Sequence, residues 1–447
     1  MNKTLPLLLL GSTAATTAAV AQEKQPNIVI LFADDLGWAD LGYQNPKFDT
    51  PNINQLKSDG LYFAHTYVST ATSSPSRSSL LTGKEALRCG FVRHIYDVDD
   101  PTAEREEFQT FENDPGNMKS RSWLPYEEIT YAERLKELGY YNMFIGKWHL
   151  GHEPYFPTKQ GFDQMYGTCE HGHPKSYYQP FFKTENPFPN AGKDEYLTDL
   201  LTDGAVEFVE TYDKDQPFLL NVWYYGVHGP YVGRKDLVAK YQARGLEKID
   251  AIYAAMVEAL DESVGRIRAS IAEKGLSDNT IFIFTSDQGG KFTNAPLSGG
   301  KIGNTLGEGG SRVPMIVYAP GAAANGSTYD KAVQTLDIYP TLVEAASGKK
   351  CKDKQIQGVS LLPTLRGEEL KDRDLFLHRS YEDQNCAIIS GDWKLVKYRS
   401  GLLELFNLKE DLSETKNLAD THTDLRDKML KRLNKWQAEA TPKELLQ

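Results

Sequence analysis

The sequence predicts an α/β fold with a mostly parallel central sheet, followed by a smaller C-terminal α+β domain. Residues 28–32 form a continuous apolar run, which is typical of a strand buried on both faces of a parallel sheet. Three later runs repeat this pattern, and stretches with apolar residues at helical spacing separate them. Strands that alternate with helices indicate a doubly wound sheet with helices on both faces.

The elements of the larger domain follow in order along the chain. The predicted helix at 131–139 has Leu135 and Leu138 on one face and ends at a glycine. The predicted helix at 252–275 keeps helical spacing over several turns. The four predicted strand segments, with the polar residues that end them, cover residues 26–38, 140–151, 217–230 and 279–290.

The sequence pattern changes beyond about residue 350. Residues 386–398 and 402–408 predict a short antiparallel pair, and residues 423–438 predict a final helix. We therefore expect a large domain over 22–350 and a small α+β domain over 351–447. The apolar stripe of the final helix consists of Leu425, Met429, Leu433 and Trp436.

The first 21 residues have the pattern of a secretory signal peptide. Lys3 is followed by a short apolar run, and the small residues at 19–21 precede the expected cleavage point. We expect the mature protein to be secreted or periplasmic and to have no membrane span, since no apolar run is long enough. Four cysteines could pair in that compartment, and the sequence leaves their pairing open: Cys89, Cys169, Cys351 and Cys386.

The overall charge restricts the possible partners. The net charge is −11 with 50 basic and 61 acidic residues, which argues against nucleic acid as a partner. An anionic substrate is still compatible, because a few cations in a cleft can reverse the local field. The 24 tyrosines, 19 phenylalanines and six tryptophans could line a carbohydrate groove, although a packed core accounts for most aromatic residues.

Acidic residues follow the first and the fourth predicted strand. Asp34 and Asp35 come after the first strand, and Asp287 and Gln288 come after the fourth. Parallel sheets place their ligands at this edge, and oxygen-only donors favour Ca²⁺ or Mg²⁺ over zinc. An isolated Asp-Asp pair is more often a turn or a helix cap, but two such groups indicate a metal site.

Candidate anion-binding side chains follow the other strands. Lys147 and His149 end the second strand, His228 ends the third, and Lys301 lies in a glycine-rich loop. That loop lacks the Gly-Lys-Ser/Thr ending of a nucleotide-binding P-loop. Arg77 lies within a hydroxyl-rich stretch that precedes an apolar anchor. A metal combined with these cations would stabilise a transferred tetrahedral oxyanion, so the predicted reaction is phosphoryl or sulfuryl transfer.

The stretch ATSSPSRSSLLTG at 71–83 resembles the signature of the type I sulfatase family, within the alkaline phosphatase superfamily. The segments NIVILFADDLGWADLG, IGKWHLG, FTSDQGG and GEGGSRVP have family counterparts in the same order. The resemblance implies an alkaline-phosphatase-like α/β domain, a smaller C-terminal domain and sulfatase activity. It also implies that Ser73 is converted to formylglycine by a maturation enzyme of the serine type.

The resemblance further implies the roles of individual residues. One Ca²⁺ ion would be bound by Asp34, Asp35, Asp287, Gln288 and the modified residue 73. Gln288 is a departure, because the family usually has Asn or His there, and the spacing from Lys301 to Glu308 is longer than usual. The residues implied to surround the sulfate are Arg77, Lys147, His149, His228 and Lys301.

The expected substrate is a sulfated glycan or monosaccharide of the galactose, N-acetylgalactosamine or glucosamine type. We expect exo action, in which sulfate is removed from a terminal sugar. One alternative is a phosphatase or phosphonate hydrolase of the same superfamily, and another is a non-catalytic glycan-binding protein. Loop residues that could contact the sugar are His94, Asp97, His171, His173, Lys175, Tyr177, His378 and Arg379.

Overall fold

A computed structural model describes residues 24–98, 100, 103–110, 118–292 and 294–446 of the chain. The predicted signal peptide lies outside the described residues. Within them, the strands are β1 Asn27–Ala33, β2 Leu61–Tyr67, β3 Phe108–Gln109, β4 Ser120–Arg121, β5 Tyr141–Gly146, β6 Gln164–Tyr166, β7 Phe218–Trp223, β8 Thr280–Ser286, β9 Arg312–Tyr318, β10 Thr328–Tyr329, β11 Val333–Gln334, β12 Asp374–Tyr381, β13 Gln384–Ser390, β14 Trp393–Tyr398 and β15 Leu403–Asn407.

Helices connect and cover these strands. The α-helices are α1 Pro51–Asp59, α2 Ser73–Thr82, α3 Tyr131–Glu137, α4 Leu197–Thr211, α5 Lys235–Ala243, α6 Lys248–Glu273, α7 Glu308–Ser311, α8 Ile338–Ser347, α9 Leu362–Leu365 and α10 Thr423–Ala440. Short 3₁₀ turns lie at Glu153–Tyr155, Pro157–Lys159, Ser277–Asn279, Thr335–Asp337 and Lys443–Leu446.

The larger sheet confirms the predicted fold class. Its strand order is β10-β2-β9-β8-β1-β7-β5-β6, and β11 also pairs with β2. The four predicted strands are β1, β5, β7 and β8, which lie side by side in parallel at the centre of this sheet. The antiparallel strand β9, between β2 and β8, was not predicted.

Burial on both faces explains the uninterrupted apolar sequence of β1. Val29 and Leu31 point into the core beneath α1, α4, α5 and α6. Ile28, Ile30 and Phe32 point into the core beneath α2, α3 and α8. A strand between two helical layers exposes neither face, so it needs apolar residues at every position. The predicted helix at 252–275 is α6, which begins four residues earlier than the pattern indicated.

The C-terminal antiparallel sheet is larger than the predicted pair. Its four strands run in the order β12-β13-β14-β15, and β12 is the strand that the sequence pattern did not reveal. Helix α10 packs on this sheet through Met429, Leu433 and Trp436, as predicted. The proposed boundary at residue 350 stays a prediction. Leu361 and Leu365, beyond that boundary, pack in the core of the larger sheet.

Two further findings concern the predicted absence of a membrane span and the pairing of the cysteines. In the described part of the chain, none of the helices combines the length and the apolar composition needed to cross a bilayer. The four cysteines, all of which are described, are free thiols, and only Cys351 is partly accessible.

Candidate active site

Strand register brings the predicted acidic residues together. Ala33 and Ser286, the last residues of β1 and β8, lie opposite each other in the parallel pair. The side chains that follow leave the sheet together and are buried: Asp34, Asp35, Asp287 and Gln288. Oxygen atoms of the three carboxylates all lie within 4.8 Å of one another. Three buried carboxylates at this spacing form a donor set that suits a hard divalent cation.

Each carboxylate is paired with a basic side chain in this structure. Lys147 Nζ contacts Asp34, and Lys301 Nζ contacts Asp35. Nη2 of Arg77 lies 3.1 Å from Oδ2 of Asp287. The strand β5 ends at Gly146, so Lys147 leaves the same edge of the sheet as the carboxylates. Because each carboxylate lies next to a cation, the buried charges compensate each other. The three cations also make the site favourable for an anion.

Ser73 lies at the centre of this charge cluster. It is the first residue of α2, whose N-cap is Thr72. Its Oγ atom is 2.9 Å from Oδ2 of Asp287 and 3.3 Å from Oδ1 of Asp34. Lys147 Nζ donates to the same oxygen over 3.3 Å. The positive end of the α2 dipole therefore points at residue 73, which favours negative charge at this position.

Arg77 is fixed one turn further along α2. Its guanidinium lies over the rings of Phe32 and Trp223, at 5.1 and 5.3 Å from their centroids. Nη1 also donates to the carbonyl oxygen of Lys147 over 3.2 Å. The side chain is fully buried. Its charge is therefore held in one orientation beside residue 73 before any substrate binds.

His149, three residues after the end of β5, occupies a left-handed backbone conformation with φ of 54°. Its Nε2 atom lies 2.8 Å from the carbonyl oxygen of Ile95, which leaves Nδ1 buried without a hydrogen-bond partner among the described residues. Gly172 packs directly against the ring, and a Cβ atom at residue 172 would be 2.4 Å from it. This contact requires glycine in the His171-Gly172-His173 sequence.

His228 lies next to Asp35 of the carboxylate cluster. Its Nε2 atom is 3.6 Å from Oδ2 of Asp35, and its Nδ1 atom contacts the carbonyl oxygen of Gly229. The hydroxyl of Tyr177 lies 2.7 Å from the carbonyl oxygens of both Tyr225 and His228. Tyr177 thus supports the loop that carries His228.

Burial and charge shift the pKa values of the cluster in different directions. Burial lowers the pKa of Lys147 and His228, and burial together with Lys147 places the pKa of His149 well below its usual value. Burial raises the pKa of Asp287, and the neighbouring Asp34 raises it further. A neutral His149 is able to accept a proton, which suits a general base.

Gln288 reaches the cluster in spite of its longer side chain. Its Nε2 atom donates to Oδ1 of Asp35 over 2.8 Å and lies 3.5 Å from Oγ of Ser73. Rotation of the planar amide by half a turn would place Oε1 at the same position. The side chain therefore has the reach required of a metal ligand.

The structure separates the predicted sugar-contacting residues into two groups. His94 lies close to Arg379 and to the site cations Lys301 and Lys147. Burial lowers the pKa of the His94 ring, and the charges of these cations contribute to bring it to about 3. His173 is half exposed, and its ring stacks on His228 with 5.6 Å between centroids. Asp97 accepts a hydrogen bond from the Gly172 amide and joins these loops.

Three of the other predicted contacts are withdrawn from a substrate by their burial: Tyr177, His171 and His378. Tyr177 supports His228, as described above, and is fully buried. His171 is also buried, with Nε2 2.8 Å from Oγ1 of Thr184. His378 lies inside the C-terminal sheet and is only 1% exposed. Lys175 is exposed on the surface of its loop. The glycine between the two histidines is the sequence feature that could have distinguished them. Gly172 packs on His149, and of its two neighbours His171 is buried and His173 is exposed.

The comparisons with known proteins agree with this geometry. The chain matches a family model described as Sulfatase over residues 26–349, and one described as N-sulphoglucosamine sulphohydrolase, C-terminal, over residues 305–439. It is 33% identical to the N-acetylgalactosamine-6-sulfatase of Mus musculus, over 87% of this chain and 75% of that protein. It is 30% identical to a sulfatase of Formosa agariphila, over 98% of this chain and 94% of that one.

A solved structure extends the likeness to the whole fold. The crystal structure of Ps i-CgsB in complex with k-i-k-neocarrahexaose superposes with a TM-score of 0.81. The two sequences are 30% identical, and the alignment covers 94% of each chain. The family model, the relatives and the fold all agree on one assignment: this protein belongs to the sulfatase family, within the alkaline-phosphatase-like superfamily, and is a sulfuric ester hydrolase.

Proposed function

We propose that this sulfatase removes sulfate from a sulfated sugar and that residue 73, as formylglycine, provides the nucleophile. The observation that carries the proposal is the position of Ser73 Oγ. It lies at the N-terminus of a buried helix, within 3.3 Å of Asp287, Asp34 and Lys147. An ordinary serine would form a stable sulfate ester, whereas formylglycine supplies a hydrated aldehyde whose second hydroxyl allows sulfate to be released.

The residues at the ends of β1 and β8 would hold Ca²⁺ together with residue 73. The buried carboxylates of Asp34, Asp35 and Asp287 supply three hard oxygen donors, and Gln288 has the reach to supply a fourth. A bound Ca²⁺ ion would supply Lewis acidity beside the nucleophile and the sulfate oxygens. Lys147 and Lys301 lie against these carboxylates, which keeps their ammonium groups beside the position that the sulfate would occupy.

The remaining side chains would bind the sulfate or transfer protons. Arg77, Lys147 and Lys301 would neutralise the sulfate oxygens, with Arg77 held rigidly by its two aromatic neighbours. His228 Nε2 and Lys301 Nζ both face Asp35. Either the ammonium group of Lys301 or the protonated ring of His228 would deliver one proton to the departing alcohol oxygen. Nδ1 of His149, which has no hydrogen-bond partner within the described segments, would accept the proton when sulfate leaves.

The burial of Ser73 determines when it can be converted. Ser73 is 5% exposed, and all of α2 is buried. A serine-type maturation enzyme therefore has to act on residues 71–83 before this segment folds. Residues 1–21 have the pattern of a signal peptide, so we place the mature protein outside the cytoplasm, secreted or periplasmic.

The sugar is proposed from the relatives and from the loops around the site. The relatives include N-acetylgalactosamine-6-sulfatases, and the solved neighbour was crystallised with k-i-k-neocarrahexaose. Both point to a sulfated sugar of the galactose or N-acetylgalactosamine type. His94, Arg379 and His173 surround the site and would contact the sugar, while a terminal residue would enter the pocket.

Sulfate release from a panel of sulfated sugars tests this function. The panel comprises galactose, N-acetylgalactosamine, glucosamine and N-acetylglucosamine sulfated at single positions, and peptide mass confirms formylglycine at residue 73. We expect release from one galactose-type sugar and none from Ser73→Ala. Equal release by Ser73→Ala would overturn the mechanism. Release of phosphate from matching phosphate esters, with sulfate esters untouched, would favour a phosphatase, and binding without release would favour a glycan-binding protein.

A further inference from the structure

The loop that carries Lys301 contacts residues of the C-terminal sheet. This loop joins β8 to α7, and residues 287–307 contain neither helix nor strand among their described positions. It is rich in glycine, which gives the backbone many accessible conformations. The backbone amide of Lys301 donates to the carbonyl oxygen of Gly290, and Nδ2 of Asn294 donates to the carbonyl oxygens of Gly290 and Gly299. The side chains of Gln384, Ser413 and Glu414 add contacts from beyond residue 380.

Gln384, the first residue of β13, binds the loop on the C-terminal side of Lys301. Its Oε1 atom accepts from the backbone amide and the hydroxyl of Thr305, at 3.0 and 2.8 Å, and from the amide of Leu306 at 3.2 Å. Its Nε2 atom donates to the carbonyl oxygen of Gly303 over 2.7 Å. Gln384 is buried, so water cannot easily replace these four bonds.

Glu414 binds the loop on the other side. Ser298 donates its hydroxyl to Oε2 of Glu414, and the backbone amide of Glu308 donates to the same oxygen over 2.8 Å. The other carboxylate oxygen pairs with Lys394 at 2.9 Å, and both side chains are buried. Glu414 itself has φ of 53°, a conformation that is uncommon for a residue with a side chain.

We propose that Gln384 and Glu414 are positioning residues that hold Lys301 against Asp35 and thereby set its place beside the substrate. Their contacts fix the chain at Ser298 and again at Gly303, so few residues around Lys301 are left to move. The inference rests on the role of Lys301 in the proposed function. It assigns to the C-terminal sheet a direct part in assembling the active site.

A double-mutant cycle between Gln384 and Lys301 tests this proposal. We expect Gln384→Ala to lower kcat/KM for the sulfated sugar by roughly 10- to 100-fold when Lys301 is present, since misplacing a catalytic group has effects of this size. In the Lys301→Ala background, Gln384→Ala should change kcat/KM by no more than about twofold, because the group that it positions is gone. Equal losses in both backgrounds would overturn the proposal.

The neighbouring Asn385 provides a matched control. Its Oδ1 atom accepts from Gln437 of α10, away from the loop, so Asn385→Ala perturbs the same strand without touching residues 298–306. We expect Asn385→Ala to have similar effects in both Lys301 backgrounds. Gln384→Glu serves if the alanine variant does not fold. It keeps an acceptor for Thr305 and Leu306, and should restore part of the lost activity.

Hydrogen exchange supplies a readout that does not require sulfatase activity. The amides of Thr305 and Leu306 should exchange faster in Gln384→Ala than in the original protein, by roughly tenfold or more, and should be unchanged in Asn385→Ala. Unchanged exchange in Gln384→Ala would overturn the proposed anchoring. If the original enzyme releases no sulfate despite formylglycine, the proposed function fails, while this exchange measurement still decides whether Gln384 holds the loop.

Discussion

The Oγ atom of Ser73 lies 2.9 Å from Oδ2 of Asp287, although 213 residues separate the two along the chain. Asp287 therefore serves both the nucleophile position and the carboxylate cluster. We predict that Asp287→Asn weakens Ca²⁺ binding by roughly 100-fold or more. Loss of a group that only orients a metal ligand already weakens metal binding by about 10–100-fold. Isothermal titration measures this directly.

Thermal unfolding gives a second measurement of the same prediction. Ca²⁺ at about 100 times its Kd should stabilise the original protein by about 2.7 kcal/mol over the calcium-free state. The same concentration should raise the Tm of Asp287→Asn much less. Asp203→Asn, a half-exposed acid outside the cluster, should keep the full rise. An equal rise in Tm for Asp287→Asn would remove Asp287 from the metal site.

His173→Ala should affect substrate binding more than the reaction step. His173 stacks on His228 and its Nδ1 lies 3.0 Å from Asp97, so one face of the imidazole is open to a sugar. Loss of one such contact is worth about 1 kcal/mol. We expect KM for the sulfated sugar to rise roughly fivefold, with kcat nearly unchanged, as measured by steady-state kinetics.

Lys175→Ala is the control for that variant, because Lys175 is exposed on the same loop. It should leave both constants unchanged. A fall in kcat with constant KM for His173→Ala would instead place His173 in the proton-transfer step.

His378 should make the protein sensitive to acid. Burial, together with the nearby charges of Arg399 and Arg379, lowers the pKa of His378 from its ordinary value of 6.5 to about 3. A depressed pKa contributes stability above pH 6.5 that is lost as the pH falls toward 3. Between pH 7 and pH 5 this loss is on the order of 2 kcal/mol.

The variant His378→Gln removes the titrating group and isolates its contribution. We expect urea unfolding to show that its free energy of unfolding falls by about 2 kcal/mol less than that of the original protein over this pH range. His422→Gln, at an exposed histidine, should retain the original pH dependence. Parallel pH curves for the original protein and His378→Gln would contradict this account.

Trp436 joins helix α10 to the larger domain. Its ring stacks on Phe376 with 4.9 Å between centroids, and its Nε1 donates to Glu85 Oε2 over 2.8 Å. We expect Trp436→Ala to lower the free energy of unfolding by about 3–5 kcal/mol. Trp436→Phe keeps an aromatic ring and should cost only about 1–2 kcal/mol, because Glu85 keeps its contact with Arg88. Urea unfolding compares the two, and equal losses would mean that the ring stack contributes little.

The central strands and the charged residues of the site were predictable from the sequence, because the apolar runs identify buried strands and the parallel order of those strands brings their ends together. The run at 28–32 needs two buried faces, so it indicates a central strand between helical layers. The acids after β1 and β8 had to meet, since the carboxyl ends of parallel strands share one edge of a sheet. Strands β9 and β12 gave no such signal. Strand β9 is defined by its pairing with β2 and β8, which are distant from it in the sequence, and β12 is defined by its antiparallel pairing with β13.

The sequence by itself determined the chemistry of this protein: the parallel sheet, the acids at its edge, and the hydroxyl-rich helix start with its arginine. Only the tertiary structure decided which of the predicted sugar-contacting residues are accessible to a substrate. It buried Tyr177, His171 and His378, and it left His173 open beside His228. Strand ends are fixed by the regular geometry of the sheet, whereas loop side chains are oriented by contacts across the whole chain. The anchoring of the Lys301 loop by Gln384 is such a contact, and the spacing of residues along the sequence gives no indication of it.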